Sequence, residues 1–290
     1  MGELRQIAVT SQEVVARAVP LVFGCGGGVN TAAAAILMDK RGFRPDLVSF
    51  ADTGGAKSDG GEKPETYAWL ESVFRPWLAR VGWPDLTVVY NKSPLAGYTS
   101  LEDDCLQKET MPSRAFGRSS CAMRWKIEPQ DKFLTHWPPA RAAWDAGLKP
   151  IKVLGYDDGE DGRAKVHEDA RLLYWYPLLE WGIDREDCED IIRAEGLPIP
   201  VKSACYYCPS STKSQVIQLS RKHPDLMARA LKIERTALES ERHNLRKIKG
   251  LGRHWSWAEL LAADEAARAK MPEAPVESCV ICDDGGCDTD

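Results

Sequence analysis

The chain has 290 residues, 43% hydrophobic and 28% charged, the balance of a globular protein rather than a disordered or fibrous one. No apolar run approaches the roughly 18 residues a membrane span needs. The first twenty residues carry Glu3, Arg5, Glu13 and Arg17 in place of a signal peptide's apolar centre, so a cytoplasmic protein with no membrane partner is expected. A net charge of −5 excludes a protein that coats nucleic acid indiscriminately.

A short apolar run at 20–23 ends in Gly24-Cys25-Gly26-Gly27-Gly28, and helix-forming residues follow over 32–40. The order predicts strand, glycine loop, helix. Residues 46–51 form a second predicted strand that closes on Asp52-Thr53-Gly54, and 64–81 a helix with Pro64 in its first turn. Leu86–Tyr90 and Ile151–Leu154 are further strands, the latter ending at Gly155. Strands alternating with helices predict an α/β protein with a doubly wound, mainly parallel sheet. Ligands of such sheets bind beyond the carboxyl ends of the strands, where the glycine loop and Asp52–Gly54 both fall. After Pro200 the character changes to a helical region containing cysteines. The expected organisation is a nucleotide-binding α/β domain over 1–200, a Cys-x-x-Cys and basic helical region over 201–270, and an acidic, cysteine-rich tail over 271–290, set off by Pro272 and Pro275.

The glycine loop has a specific physical use. Glycines let backbone N–H groups approach phosphate oxygens, and the helix start that follows adds partial positive charge. Gly26, Gly27, Gly28, Asn30 and Thr31 are therefore candidate nucleotide-binding residues, beside the alternative of a glycine-rich turn with no ligand. Neither the P-loop nor the dinucleotide pattern fits the spacing.

Nine cysteines in a reducing compartment point to metal ligation or redox chemistry rather than disulfides. Cys205-Tyr206-Tyr207-Cys208-Pro209 has the spacing that lets two thiolates reach one metal. Cys25 and Cys188 read as buried, inert thiols. In the tail, Cys279, Cys282 and Cys287 suit either a metal or an exchangeable dithiol. Between Lys213 and Arg253 stand eleven Lys/Arg against four acids, +7 locally, which leaves −12 elsewhere. A charge that local could face a nucleic acid, or form a solvated helix face.

Several segments, taken in order, resemble the phosphoadenosine-phosphosulfate (PAPS) reductase family of PP-loop enzymes. Gly26 to Thr31 is similar to the family's Ser-Gly-Gly-Lys-Asp-Ser loop, with Gly26, Val29 and Asn30 standing for its Ser, Lys and Asp. Asp52-Thr53-Gly54 with Glu62 to Tyr67 resembles its second-strand motif. Leu154-Gly155-Tyr156-Asp157, with Glu160 and Arg163, resembles a later loop, and Tyr176-Pro177-Leu178-Leu179-Glu180-Trp181 its Pro-Leu-Leu-Asp-Trp segment.

Cys121 to Pro129 is similar to the cysteine segment of the cluster-containing adenylyl-sulfate reductases, with Ser120 at the place of their first cysteine. The resemblance implies ATP or PAPS as the nucleotide, with Gly155, Asp52 and Thr53 beside it and Asp52 holding a ribose hydroxyl or a Mg²⁺ shell. It implies metal ligands at Cys121, Cys205 and Cys208, with Cys105 the nearest candidate for a fourth. Four thiolates suit a 4Fe–4S cluster or Zn²⁺. Catalytic roles fall to Cys121, Arg124 and Lys126; the positive charges of Arg124 and Lys126, with Arg118, could neutralise phosphate or sulfate or simply be solvated.

Three functions are compatible. The first is a sulfur-transfer enzyme in which a nucleotide activates the acceptor, as in the DNA phosphorothioation proteins and tRNA thiolases that this layout resembles, with a sulfur-donor or reductant protein as partner. The second is a PAPS or adenylyl-sulfate reductase. The third is a nucleotide- or nucleic-acid-binding module with structural zinc.

Overall fold

The protein is described by a computed structural model covering residues 8–55, 60–91, 99–163, 169–242 and 247–270. Helix α1 (Ser11–Val15) precedes β1 (Leu21–Cys25), α2 (Val29–Lys40) and β2 (Leu47–Asp52). Next come α3 (Pro64–Trp69) and α4 (Arg75–Val81), joined through a π-helical turn at Leu70–Phe74, then β3 (Leu86–Tyr90) and α5 (Leu101–Gln107). A 3₁₀ turn (Ser113–Phe116), α6 (Ser120–Ala122) and a second π turn (Met123–Ile127) run into α7 (Glu128–Leu134) and α8 (Pro138–Asp145). Beyond β4 (Ile151–Leu154) and β5 (Leu173–Trp175) lie α9 (Pro177–Glu180), α10 (Arg185–Ala194), α11 (Lys213–Lys222), α12 (Pro224–Glu239) and α13 (Trp257–Ala269).

All five strands are parallel, in the order β3-β2-β1-β4-β5. Side chains alternate between the faces of a strand, and the two faces of β1 meet different partners. Leu21, Phe23 and Cys25 join a core made with α2, α3, α4 and α10, whereas Val22 joins Leu134 of α7 and Ala140 of α8. Helices therefore cover both faces, and the sheet is doubly wound. Ala32, Ala33, Ala34 and Ala35 in α2 are all buried. Small side chains let this helix lie close to the sheet while α10 packs on it.

A second core is built from α5, the Trp125 turn, the Cys205–Cys208 turn and α11, α12 and α13. It takes in Leu101, Cys105, Met111 and Ala115, so the segment over 101–116 packs with the helical region, while the π turn at Met123–Ile127 also meets β2. Glu234 of α12 is buried and ties the start of α13 to this core. Its carboxylate accepts from Leu251 N, Ser256 Oγ, Trp257 N and Ala258 N at 2.7–3.0 Å.

Candidate active site at the carboxyl edge of the sheet

The strand order reverses between β1 and β4, and the loops after these two strands open the crevice where doubly wound sheets bind ligands. Gly27 has φ +70°, a conformation that side-chain-bearing residues rarely adopt. Gly28 caps α2 in extended backbone, φ −119°. Gly155 closes the loop after β4 against α2, where a Cβ would lie 3.0 Å from the Asn30 carbonyl oxygen. Thr31 Oγ1 accepts from Gly26 N at 3.1 Å and holds the loop shut.

The polar residues expected to face the nucleotide are bound into the frame of the crevice. Asn30 Nδ2 donates to Asp157 Oδ2 (2.9 Å) and Glu160 Oε2 (3.1 Å), while its Oδ1 accepts from Arg185 Nη1 (2.8 Å). Asp52 Oδ1 accepts from Gly54 N (2.8 Å), Gly61 N (3.2 Å) and Tyr67 Oη (2.7 Å). That oxygen organises the return of the chain from β2 to α3. Burial, with Asp52 opposing any second negative charge, pushes the Tyr67 hydroxyl far above its ordinary range, so it remains a donor.

Beside this crevice lies a compact group of buried polar side chains. Glu62 and Cys205 form an antiparallel bridge, and both are buried. Lys126, presented by the second π turn, donates to Glu62 Oε1 at 2.6 Å, and Ser203 Oγ donates to Glu62 Oε2 at 3.2 Å. Cys205 Sγ shares a hydrogen bond with Thr53 Oγ1 at 3.2 Å. Single π turns inside helices recur at functional sites; here the turn re-aims Lys126. Burial alone would lower the Lys126 ammonium, but the Glu62 carboxylate outweighs it and holds the charge. Burial and then Glu62 push the Cys205 thiol well up, with Lys126 opposing. The group adjoins the glycine loop: a Cβ on Gly28 would lie 3.7 Å from Ser203 Cβ.

Cys105, Cys121, Cys205 and Cys208 share the second core, the first and third buried and the others half-buried at its edge. Burial, then Asp104, raises the Cys105 thiol. The described residues contain no group of three Cys, His, Asp or Glu side chains already placed to hold a metal ion. The four thiols lie within one core as two neighbouring pairs, Cys105 within electrostatic reach of Cys121 and Cys205 of Cys208, and soft thiols are the donors a cluster or Zn²⁺ takes. The Tyr207 hydroxyl is buried without a hydrogen-bond partner among the described residues, within electrostatic reach of Cys205 and Cys105. A buried O–H facing thiols is a donor for sulfur.

Cys25 and Cys188 are buried in the first core, and burial pushes both thiols up to about 12. Arg124 lies 3.6 Å from Asp104. The basic segment is less free than its count suggests, because acids from elsewhere in the chain meet it. Arg221 pairs with Asp264 (2.9 Å), Arg242 with Glu109 (3.3 Å) and Arg229 with Glu102. Arg246, Cys279, Cys282 and Cys287 lie outside the described residues.

Sequence reasoning passed over Glu62 and Tyr67 except as members of a motif, and over Ser203 altogether. The available signal was a lone acid just ahead of a Lys-Pro helix start, and burial is what gives it meaning.

The fold and the site thus define an α/β protein with a glycine loop at the sheet's switch point and a cysteine-rich group beside it. The chain matches no protein-family model and no curated relative by sequence. Among solved structures it is similar to the phosphoadenylyl-sulfate (PAPS) reductase from Candida auris in a phosphate complex, at 20% identity over 66% of this chain and 82% of that one, TM-score 0.40. It is also similar to the U34-tRNA thiolase NcsA from Methanococcus maripaludis with its 4Fe–4S cluster, at 16% identity over 83% and 79%, TM-score 0.43.

Proposed function

We propose that the protein is a PAPS-reductase-like PP-loop enzyme that binds an adenine nucleotide at the glycine loop and transfers sulfur from the adjoining cysteine centre. The observation that carries this reading is the junction of the two sites: Ser203 faces Gly28, and its hydroxyl bonds Glu62, which also holds Lys126. A nucleotide phosphate on the loop and a thiol at Cys205 would then share one mouth. Lys126 supplies positive charge for an activated phosphate or sulfate oxygen.

Cys105, Cys121, Cys205 and Cys208 are the residues that would hold a 4Fe–4S cluster, or Zn²⁺ in its place. A cluster would supply an iron able to carry sulfur. Metal binding deprotonates its thiols, and Lys126 favours that step at Cys205. Arg124, three residues beyond Cys121 and 3.6 Å from Asp104, would add positive charge on the acceptor side.

Anaerobic purification with iron, zinc and sulfide analysis, followed by ATP calorimetry, tests the reading. Iron and sulfide with micromolar nucleotide binding support it. A zinc protein that binds no nucleotide overturns it in favour of a structural module.

A further inference from the structure

A pocket of about 220 Å³ lies between the start of α3 and helix α11, and neither the glycine loop nor the thiol group uses it. Three lysines from three separate stretches of chain line it: Lys63 at the cap of α3, Lys202 ahead of the Cys205 turn, and Lys222 in the last turn of α11, next to His223. The carboxylate in its lining, Glu65, is already engaged by His223 Nε2 at 3.0 Å and Lys222 Nζ at 4.0 Å.

Lys63 is half-buried and Lys202 exposed on the rim of this pocket, where Lys202 Nζ donates to Ser210 O at 3.2 Å. Burial first, and then the Lys202 charge, hold the Lys63 ammonium below the ordinary lysine range. Three lysines around one pocket give it a positive potential, and an anion bound there offsets their mutual repulsion. We infer that this pocket is an anion subsite that takes one phosphate group of the substrate.

Size and position narrow the ligand. The cavity is smaller than the roughly 300 Å³ at which pockets begin to enclose whole small molecules, so a protruding group enters rather than a complete nucleotide. Lys63 follows Glu62 directly and Lys202 precedes Ser203, so the phosphate would sit next to the thiol group. A second depression continues along α11, sharing Gln215, Gln218 and Lys222 and reaching Arg221. Asp264 also lines it and already pairs with Arg221, so a phosphodiester strand following this course would meet Lys222 and the Gln215 and Gln218 amides as its donors, whereas a nucleoside bisphosphate would fill only the first part.

The test uses the full chain with two probes: a short labelled single-stranded oligonucleotide followed by anisotropy, and a nucleoside 3′,5′-bisphosphate followed by calorimetry. Inorganic phosphate serves as competitor for both. The Lys63→Gln/Lys202→Gln double variant should weaken at least one probe by about tenfold or more, and phosphate should compete with it. Glu65→Gln should tighten the same probe severalfold, a gain that misfolding cannot produce. Arg75→Gln, whose partners are Glu71 and Asp85, should change nothing. Loss for the strand alone identifies a phosphodiester, and loss for the bisphosphate alone a nucleotide phosphate. Unchanged binding of both probes in a folded double variant, or no gain from Glu65→Gln, overturns the subsite. Because Gly28→Val should abolish ATP binding while leaving phosphate competition intact, failure here is separable from failure of the nucleotide reading.

Discussion

Lys126 Nζ lies 2.6 Å from Glu62 Oε1 although the two residues are 64 positions apart, and the pair joins the π turn at Met123–Ile127 to the loop that leaves β2. Glu62 is wholly buried and Lys126 about one-third exposed, at 33%. Removing the lysine strands a buried carboxylate. Lys126→Met should therefore cost about 1–3 kcal/mol, a buried-pair penalty reduced by that exposure. In urea unfolding, the Lys126→Met/Glu62→Gln double variant should recover part of the loss. Additive losses would show that the two residues do not depend on each other.

The glycine loop separates conformational need from ligand need. Gly27 sits at φ +70°, with Thr66 Cγ2 3.2 Å from where a Cβ would be, so Gly27→Val strains the backbone whatever binds there and is expected to destabilise the fold. Gly28 has extended backbone, and its Cβ would make an ordinary 3.7 Å contact. Gly28→Val should keep the thermal midpoint within a few degrees and lose ATP affinity by calorimetry. A folded Gly28→Val protein with unchanged affinity would move the phosphate site elsewhere.

Glu102 provides a pH test. Burial would raise its carboxyl, but the Arg229 and Tyr206 partners outweigh this and hold it below the ordinary carboxylate range. A depressed folded value adds stability above the unfolded pKa, about 4.3 for Glu, and that stability is lost as pH falls through the folded value. Glu102→Gln should thus be less stable than the parent at neutral pH, with the gap narrowing below about pH 4. A gap that stays constant with pH would assign the loss to packing.

Four of the five strands, the glycine loop and the inert character of Cys25 and Cys188 were legible because each is a local pattern: an apolar run, a glycine cluster, an apolar setting for a thiol. β5 was not. Leu173–Trp175 spans three residues, too few for a period to register, and it runs into the Tyr176-Pro177 segment. The pairing of Arg221, Arg229 and Arg242 with Asp264, Glu102 and Glu109 was hidden for a different reason. Two of those acids lie more than a hundred positions away, and a window count of charge cannot see them. Asn30 and Asp52 were placed at the right strand ends, but their hydrogen bonds turn inward, which only the folded loop geometry specifies. The π turn at Met123–Ile127 leaves no sequence period either, yet it is what brings Lys126 to Glu62.

The cysteine centre gives the sharpest prediction, since its four thiols differ in burial and partners. Cys205 is enclosed by Thr53, Glu62 and Lys126, and Cys105 is buried elsewhere in the second core beside Asp104, whereas Cys121 and Cys208 are half-buried at the edge. If the four hold one metal or cluster, Cys121→Ser, Cys205→Ser and Cys208→Ser should each lose it, because a hydroxyl is a poor substitute for a thiolate, and stability should fall with it. Cys105→Ser decides the ligand count: complete loss means a closed four-cysteine site, retention an iron left open. Cys25→Ser and Cys188→Ser should keep full metal content, as their thiols lie in the other core. Tyr207→Phe removes a hydroxyl that has no partner among the described residues. If that hydroxyl serves only packing, the variant should be neutral or more stable. If it donates to a metal-bound sulfur, it should shift the reduction potential or the visible spectrum without changing the iron count. Full iron or zinc in both Cys205→Ser and Cys208→Ser would place the metal elsewhere and make Cys279, Cys282 and Cys287 the ligands to test next.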